Sequence, residues 1–278
     1  MPLRILLIRV LPVVLAIAAC VSLLAALDRS DASAAGSERL PDLDQEIPSG
    51  LTVTAMVSRG RSIYVLGFRS AVRNLGDGPL IIDAHRPTHG TELMTADQLI
   101  ERDGAPPRLV AGAGRVRYVV SPDHRHWHLL GFDRYQLRRA WEASAAVRDR
   151  KSGFCLGDRY EVAGPVLPAA PLSPRYTSRC GLAAPELLGV REGISVGYGD
   201  DYPAVLEGQH LRLSGLPAGR YVLVHRVNSG RRLRELNHRN NAASLLLGLR
   251  WRDDAPMVRV LRRCPDTGTC ERRPPRRP

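Results

Sequence analysis

The chain contains one lysine. Lys151 stands alone among 40 basic residues, the other 39 being arginine. Either residue serves on a solvated surface, so the skew reflects the base composition of the source genome. It still removes one chemistry from 39 positions, because a guanidinium stays protonated whereas a buried lysine can lose its proton and act as a nucleophile. Lys151 is therefore a candidate for covalent chemistry, set against the bland reading of a chance surface lysine. Aromatic residues are scarce too, at 5%. With no recognised binding motif, nucleic acid is a poor partner for this basic chain. The five cysteines include no Cys-x-x-Cys pair, which disfavours a thiolate metal site. No acidic cluster and no internal repeat stands out.

What is present begins with an export signature. Arg4 and Arg9 precede Val10 to Leu27, an apolar stretch interrupted only by Pro12, Cys20 and Ser22. Residues 1–35 read as a signal peptide, cleaved at a small-residue site such as Ala32-Ser33-Ala34, or as an N-terminal membrane anchor. Ile17-Ala18-Ala19-Cys20 also resembles a lipoprotein box, although apolar residues continue past Cys20. The expectation is a secreted or cell-envelope protein. Cysteine usage agrees, since Cys155, Cys180, Cys264 and Cys270 form an even set. They allow three pairings, of which Cys155–Cys180 with Cys264–Cys270 is favoured because both close local loops. Net charge is +12. Residues 253–278 form a basic Pro/Arg-rich tail whose final Arg-Arg-Pro-Pro-Arg-Arg-Pro is expected to be disordered, able to adhere to an anionic cell-envelope surface.

Between signal and tail, 36–252 reads as one all-β domain, a β-sandwich with long loops and few short helices. Extended runs are expected at Leu51–Val57, Ser62–Val72, Pro79–Asp83, Arg115–Val120, His126–Leu137, Gln209–Leu213, Arg220–Val227, Ala242–Arg250 and Met257–Leu261. Asn74-Leu75-Gly76-Asp77-Gly78 and Leu216-Pro217-Ala218-Gly219 carry turn chemistry. The helix candidates are Thr95–Arg102 and Ala140–Arg148. Residues 164–190 are Pro-rich and read as loop.

Asp-His-Arg-His-Trp-His holds His124, His126 and His128 at period two. In a strand, side chains at i, i+2 and i+4 leave the same face. Three imidazoles would then converge, a nitrogen-only set that suits copper, zinc, nickel or iron. His85, His89, His210, His225 and His238 show no ligand-like spacing and read as structural or solvated.

Downstream come Lys151-Ser152-Gly153-Phe154-Cys155-Leu156 and Gly193-Ile194-Ser195-Val196-Gly197-Tyr198-Gly199-Asp200-Asp201-Tyr202. At this point the chain resembles the lysyl oxidase family, copper amine oxidases with a lysine tyrosylquinone cofactor. The pieces run in family order: Pro41-Asp42-Leu43, Arg73-Asn74, the histidine triplet, Lys-x-x-Phe-Cys-Leu, the Gly-rich segment ending in Tyr202, Gly219-Arg220-Tyr221-Val222-Leu223 and Asn240-Asn241. Each is weak singly; their shared order over residues 41–250 is specific.

The resemblance implies copper on His124, His126 and His128, and a self-derived cofactor made from Lys151 and Tyr202. The phenol would be oxidised and the neutral amine of Lys151 would add to it. A protonated amine has no lone pair, so the site must favour the neutral form by desolvation or by the metal's charge. Primary amines, either peptidyl lysine or small amines, would be oxidised by O2 to aldehydes with release of hydrogen peroxide and ammonia. Asp200 and Asp201 are the candidate general bases, with turn carboxylates as the equal alternative. Cys155 would fix the Lys151 loop through its disulfide. Animal members carry a further histidine roughly where this chain has Asp133-Arg134, and their cysteine framework is denser, so a reduced bacterial-type version of the fold is implied. The rival from another class is a copper-binding β-sandwich module of the cell envelope without turnover. A cupin-like iron or zinc enzyme ranks last, because Leu129-Leu130-Gly131-Phe132 supplies no carboxylate.

Overall fold

The structure, a computed structural model, describes residues 36–121, 124–148 and 153–271. The export segment with Cys20, Lys151 and the terminal Arg/Pro run lie outside the described residues. Two units are distinguished. The smaller holds the described residues before Arg39 with Arg102–Pro107, and in it the Ser37 hydroxyl donates to Asp103 at 2.7 Å. The larger, Arg39–Glu101 with residues from Arg108 onward, carries the apolar core and the candidate site.

The fold is all-β, and neighbouring strands such as β11 and β8, β13 and β5, β14 and β4, and β16 and β17 run antiparallel. After the two-residue β1 (Glu38–Arg39), strands gather in three sheets. In the first, β11 (Gly153–Phe154), β8 (His124–Leu130), β7 (Ala105–Ser121), β6 (Leu93–Arg102), β5 (Leu80–His85) and β13 (Gly189–Ile194) lie side by side. The second runs β10 (Ala145–Arg148), β9 (Asp133–Arg139), β16 (Gly219–Val227), β17 (Ala242–Arg252), β18 (Ala255–Cys264). The third orders β12 (Tyr160–Glu161), β14 (Tyr198–Tyr202), β4 (Arg61–Asn74) and β15 (His210–Arg212), with β2 (Leu43–Gln45) and β3 (Ser49–Ser58) also on β4. Alternating inward residues of all three meet in one core, which includes Phe68, Trp127, Tyr135, Phe154 and Tyr202. An edge-to-face series crosses it: Phe68–Tyr135 at 5.1 Å, Tyr135–Phe154 at 6.1 Å and Phe154–Tyr202 at 5.1 Å between centroids. Such pairs add roughly 0.5–1.5 kcal/mol each beyond their buried area.

Neither expected helix forms. Thr95–Arg102 belongs to β6, where Met94, Ala96, Gln98 and Ile100 face inward by alternation. Gln98 also exchanges two 2.8 Å hydrogen bonds with the Arg234 backbone, a tertiary tie that overrides local preference. In Ala140–Arg148 the chain turns at Trp141, whose φ of 68° no helix accommodates, and then enters β10. The run His126–Leu137 is interrupted at Gly131, where φ is 72° and β8 passes into β9. The strand expected at Met257–Leu261 extends over Ala255–Cys264 and pairs with β17, carrying ordered sheet into the segment assigned to the tail.

Several pieces of the family-like pattern are scaffold. Asn74 accepts the Asp42 N–H at 3.1 Å and donates to the carbonyls of Gly78 and Ile194 at 3.0 Å each. Asn240 donates to Asp42 at 2.8 Å. Glu235 accepts from Leu43 N–H, Asn228 and Asn241 at 3.1, 2.5 and 2.7 Å. Gly78 is required in the turn because a Cβ there would stand 2.2 Å from the Arg39 carbonyl oxygen.

Candidate functional site

β8 presents its two faces to different environments. Trp127 and Leu129 point into the core at 1% exposure each. The Trp127 indole N–H donates to Ala184 O at 3.1 Å, its backbone N–H donates to Cys180 O at 2.9 Å, and Arg86 lies 4.7 Å over its ring. Anchored in this way, the strand projects His124, His126 and His128 from the opposite face. His124 and His128 are buried and His126 half-buried. Ring centroids lie 4.6–5.3 Å apart, and one nitrogen from each ring falls within 4.8 Å of the others.

This set fits a metal ion. Imidazole nitrogens about 2.0–2.1 Å from a tetrahedral centre would stand about 3.3 Å apart. His124 Nδ1 and His126 Nε2 are separated by 3.4 Å. Three neutral nitrogen donors without a carboxylate suit a borderline metal such as copper and leave further coordination positions open. Ser121, paired with His124 across β7 and β8, keeps a buried hydroxyl with no hydrogen-bond partner among the described residues. A second grouping, Cys155, Cys180 and Glu192, also lies within 4.8 Å. Its two sulfurs are joined to each other, which removes both as ligands. The disulfides are Cys155–Cys180 and Cys264–Cys270, the favoured pairing.

Lys151 lies outside the described residues, but the segment that follows it is informative. Gly153 pairs with Leu130 and lies against His128, where an added Cβ would meet the His128 Cβ at 2.6 Å. One residue on, the Phe154 ring meets Tyr202 edge-to-face. One further, the Cys155 carbonyl oxygen lies 2.8 Å from the Tyr202 hydroxyl. Three consecutive residues thus run from the histidine cluster to the tyrosine.

Tyr202 is 5% exposed and ends β14. Its hydroxyl is also 2.8 Å from Asp200 Oδ2. Asp200 is 1% exposed, and burial pushes its carboxyl up to about 7 against the opposing charge of Arg159. Burial, followed by the nearby Asp200 charge, holds the Tyr202 phenol well above its ordinary value. Alternation along β14 separates the two candidate bases. Asp200 shares a face with Tyr202, whereas Asp201 pairs with Arg69 at 2.8 Å and is not brought to the phenol.

Two charged neighbours of Asp200 escape sequence reasoning. Arg159 reaches Asp200 Oδ1 at 2.5 Å and lies 4.9 Å over the Tyr202 ring. Glu192 is buried at 1%, accepts the Leu156 N–H at 2.7 Å, and is pushed well above the usual carboxylate range by burial. No local signal marks either, since one arginine among 39 and one strand glutamate look alike until the fold brings them to β14.

Of the remaining histidines, His225 and His238 have partners within the fold. His225 is wholly buried between Gln45, which donates to its Nδ1 at 2.8 Å, and Asp133, which accepts from its Nε2. Asp133 is therefore committed to the core. His238 pairs with Glu235 at 2.8 Å.

The family model described as lysyl oxidase matches residues 113–258, a span that contains the histidine triplet, Lys151, Asp200 and Tyr202. No curated protein matches the chain. With more than half of its length matched, the chain belongs to the lysyl oxidase family.

Proposed function

We propose that the protein is an exported copper amine oxidase that converts primary amines, as peptidyl lysine or small amines, to aldehydes. The observation that supports this most directly is the bridge formed by Gly153–Cys155, one end against His128 and the other on the Tyr202 hydroxyl. Overall, one amine, one O2 and one water give one aldehyde, one ammonia and one hydrogen peroxide.

In this reading His124, His126 and His128 hold the copper, and Lys151 and Tyr202 are the precursors of the cofactor. When bound and formed, the two groups supply one-electron exchange with O2 and an electrophilic carbonyl for the amine. The chain's own residues supply position and proton transfer. Cys155 O and Asp200 Oδ2 fix the direction of the phenolic hydroxyl. Asp200 is within hydrogen-bond reach and titrates near neutrality, as a general base should. Phe154 and the surrounding core keep water from the ring.

Export rests on the N-terminal apolar stretch and on two disulfides, which persist in oxidising compartments. The basic tail is proposed to adhere to anionic envelope polymers or lipids.

The test is intact-mass and absorbance measurement on copper-loaded protein made in an oxidising compartment. A Lys151–Tyr202 crosslink with a visible quinone band is expected, and both should be lost in Lys151→Arg. Peroxide production by Lys151→Arg with butylamine or a lysyl peptide would overturn the cofactor assignment.

A further inference from the structure

Arg159 has no role in the reaction as described, yet it touches both Asp200 and the Cys155 carbonyl, the two acceptors described at the Tyr202 hydroxyl. Its Nε is 2.5 Å from Asp200 Oδ1, its Nη2 donates to Cys155 O at 3.3 Å, and its guanidinium lies 4.9 Å over the tyrosine ring. The Arg159 backbone N–H donates to Gly199 O at 2.9 Å, so the arginine is tied to the strand that carries its partners. The two Asp200 oxygens are thereby divided, Oδ1 to Arg159 and Oδ2 to Tyr202. An exposed ion pair in this arrangement would matter little. Here the Asp200 side chain is 1% exposed and the Arg159 side chain 29%. Removing one partner of such a pair leaves a charge without compensation in the core.

We propose that Arg159 is a positioning residue for the chemistry at Tyr202: it aims the Asp200 carboxylate at the phenolic hydroxyl and sets a fixed positive charge over the ring. The inference rests on Tyr202 being the reactive phenol. The step it serves is a proton transfer. The Tyr202 O–H bond breaks, an O–H bond forms on Asp200 Oδ2, no electron leaves the group, and the negative charge moves from carboxylate to ring oxygen. That charge then lies under the guanidinium.

The charged and titratable groups around Asp200 are Arg159 from the segment before β12, Tyr202 and Asp201 on its own strand, and Glu192 from β13. Asp201 is turned to Arg69. Glu192 is held toward its neutral form by burial. Among the described residues Arg159 is therefore the one cation in this group, and its loss should favour the protonated form of Asp200 at neutral pH.

The experiment uses full-length wild type, Arg159→Lys and Arg159→Met. Without added copper, the Asp200 carboxyl carbon is followed by NMR through a pH series. With copper, the rate of crosslink formation is followed by intact mass over the same series. The wild-type midpoint is expected near 7. It should move alkaline by about one unit or more in Arg159→Met, and by less in Arg159→Lys, with the pH dependence of crosslinking moving in parallel. An unmoved Asp200 midpoint in Arg159→Met overturns the proposal. If that variant loses the near-ultraviolet circular dichroism of the wild type, Arg159→Lys decides: it keeps the charge but not the fork, so a shifted midpoint supports the proposal and an unshifted one overturns it. A wild type that forms no crosslink overturns the oxidase reading alone, because the midpoint measured without copper still judges Arg159.

Discussion

The Tyr202 hydroxyl stands 2.8 Å from Asp200 Oδ2 and 2.8 Å from the Cys155 carbonyl oxygen, two acceptors for one proton. The arrangement is fully satisfied when Asp200 is itself protonated and donates to the phenol while the phenol donates to Cys155. It is primed for proton transfer when Asp200 is ionised. A carboxyl that titrates near 7 visits both states at neutral pH.

Asp200→Asn should therefore separate chemistry from stability. Amine oxidation should fall by about a hundredfold or more, as for loss of a positioned base. Stability should respond in the opposite sense. The folded-state value of Asp200 is raised above the unfolded one, so its contribution is complete below the ordinary carboxylate range and is lost as pH rises to about 7. Asn cannot ionise, and the variant should lose up to about 4 kcal/mol less stability between those limits than wild type. Denaturant titrations at acidic and mildly alkaline pH read this directly. Equal pH dependence in both proteins would show that folding does not raise the Asp200 carboxyl. Asp201→Asn is the control, with a change under about 1 kcal/mol and near-normal activity, since it breaks only a part-exposed pair with Arg69.

Gly153→Ala tests the link between β11 and the histidines. The new methyl would stand 2.6 Å from the His128 Cβ and 3.3 Å from Leu129 O, and neither is the end of a flexible chain. The β11–β8 pairing must open, at a cost of about 1–3 kcal/mol. Copper affinity should weaken along with thermal stability, as measured by competition with a chromophoric chelator. A variant that is destabilised but binds copper as wild type would separate β11 from the metal centre.

Much of this site was legible in the sequence, and the physical reason differs by residue. Period-two spacing suffices for His124, His126 and His128, because strand alternation is a local rule. Cys155 and Cys180 were legible because they close a short loop. Arg159 was not, because its meaning lies in a contact with Asp200 41 residues away. The strand at Thr95–Arg102 was hidden for a similar reason. Its sequence suits a helix, and only Gln98 gripping the Arg234 backbone, with Ala96 and Ile100 turned inward, makes it a strand.

His126→Ala should remove copper with little loss of fold. The ring is half-buried and faces away from the core that holds Trp127 and Leu129. Two nitrogens remain, too few to hold the ion through desalting, so metal content by elemental analysis should fall from one equivalent toward zero. The unfolding midpoint of the metal-free variant should stay within about 1 kcal/mol of metal-free wild type. A large destabilisation without metal would mean that the triplet is structural.

The two disulfides should differ both in size of effect and in kind. Cys155–Cys180 spans 25 residues and Cys264–Cys270 spans 6. Loop-closure entropy assigns about 3.5 kcal/mol to the first and about 2 kcal/mol to the second. The larger loop also bears on the candidate site, because Cys155 supplies the carbonyl that accepts from Tyr202, and Cys180 supplies the carbonyl that accepts the Trp127 N–H on β8. Paired Cys155→Ser and Cys180→Ser should therefore reduce stability, copper affinity and crosslinking together. Paired Cys264→Ser and Cys270→Ser should lower stability alone, since that bridge packs on Ala140, Val222, Val224 and Leu246 in a separate apolar cluster. Denaturant midpoints, chelator competition and intact mass on the two double variants distinguish the cases. Loss of crosslinking in the second pair, at a temperature where it remains folded, would mean that the β18 end of the second sheet also bears on the tyrosine.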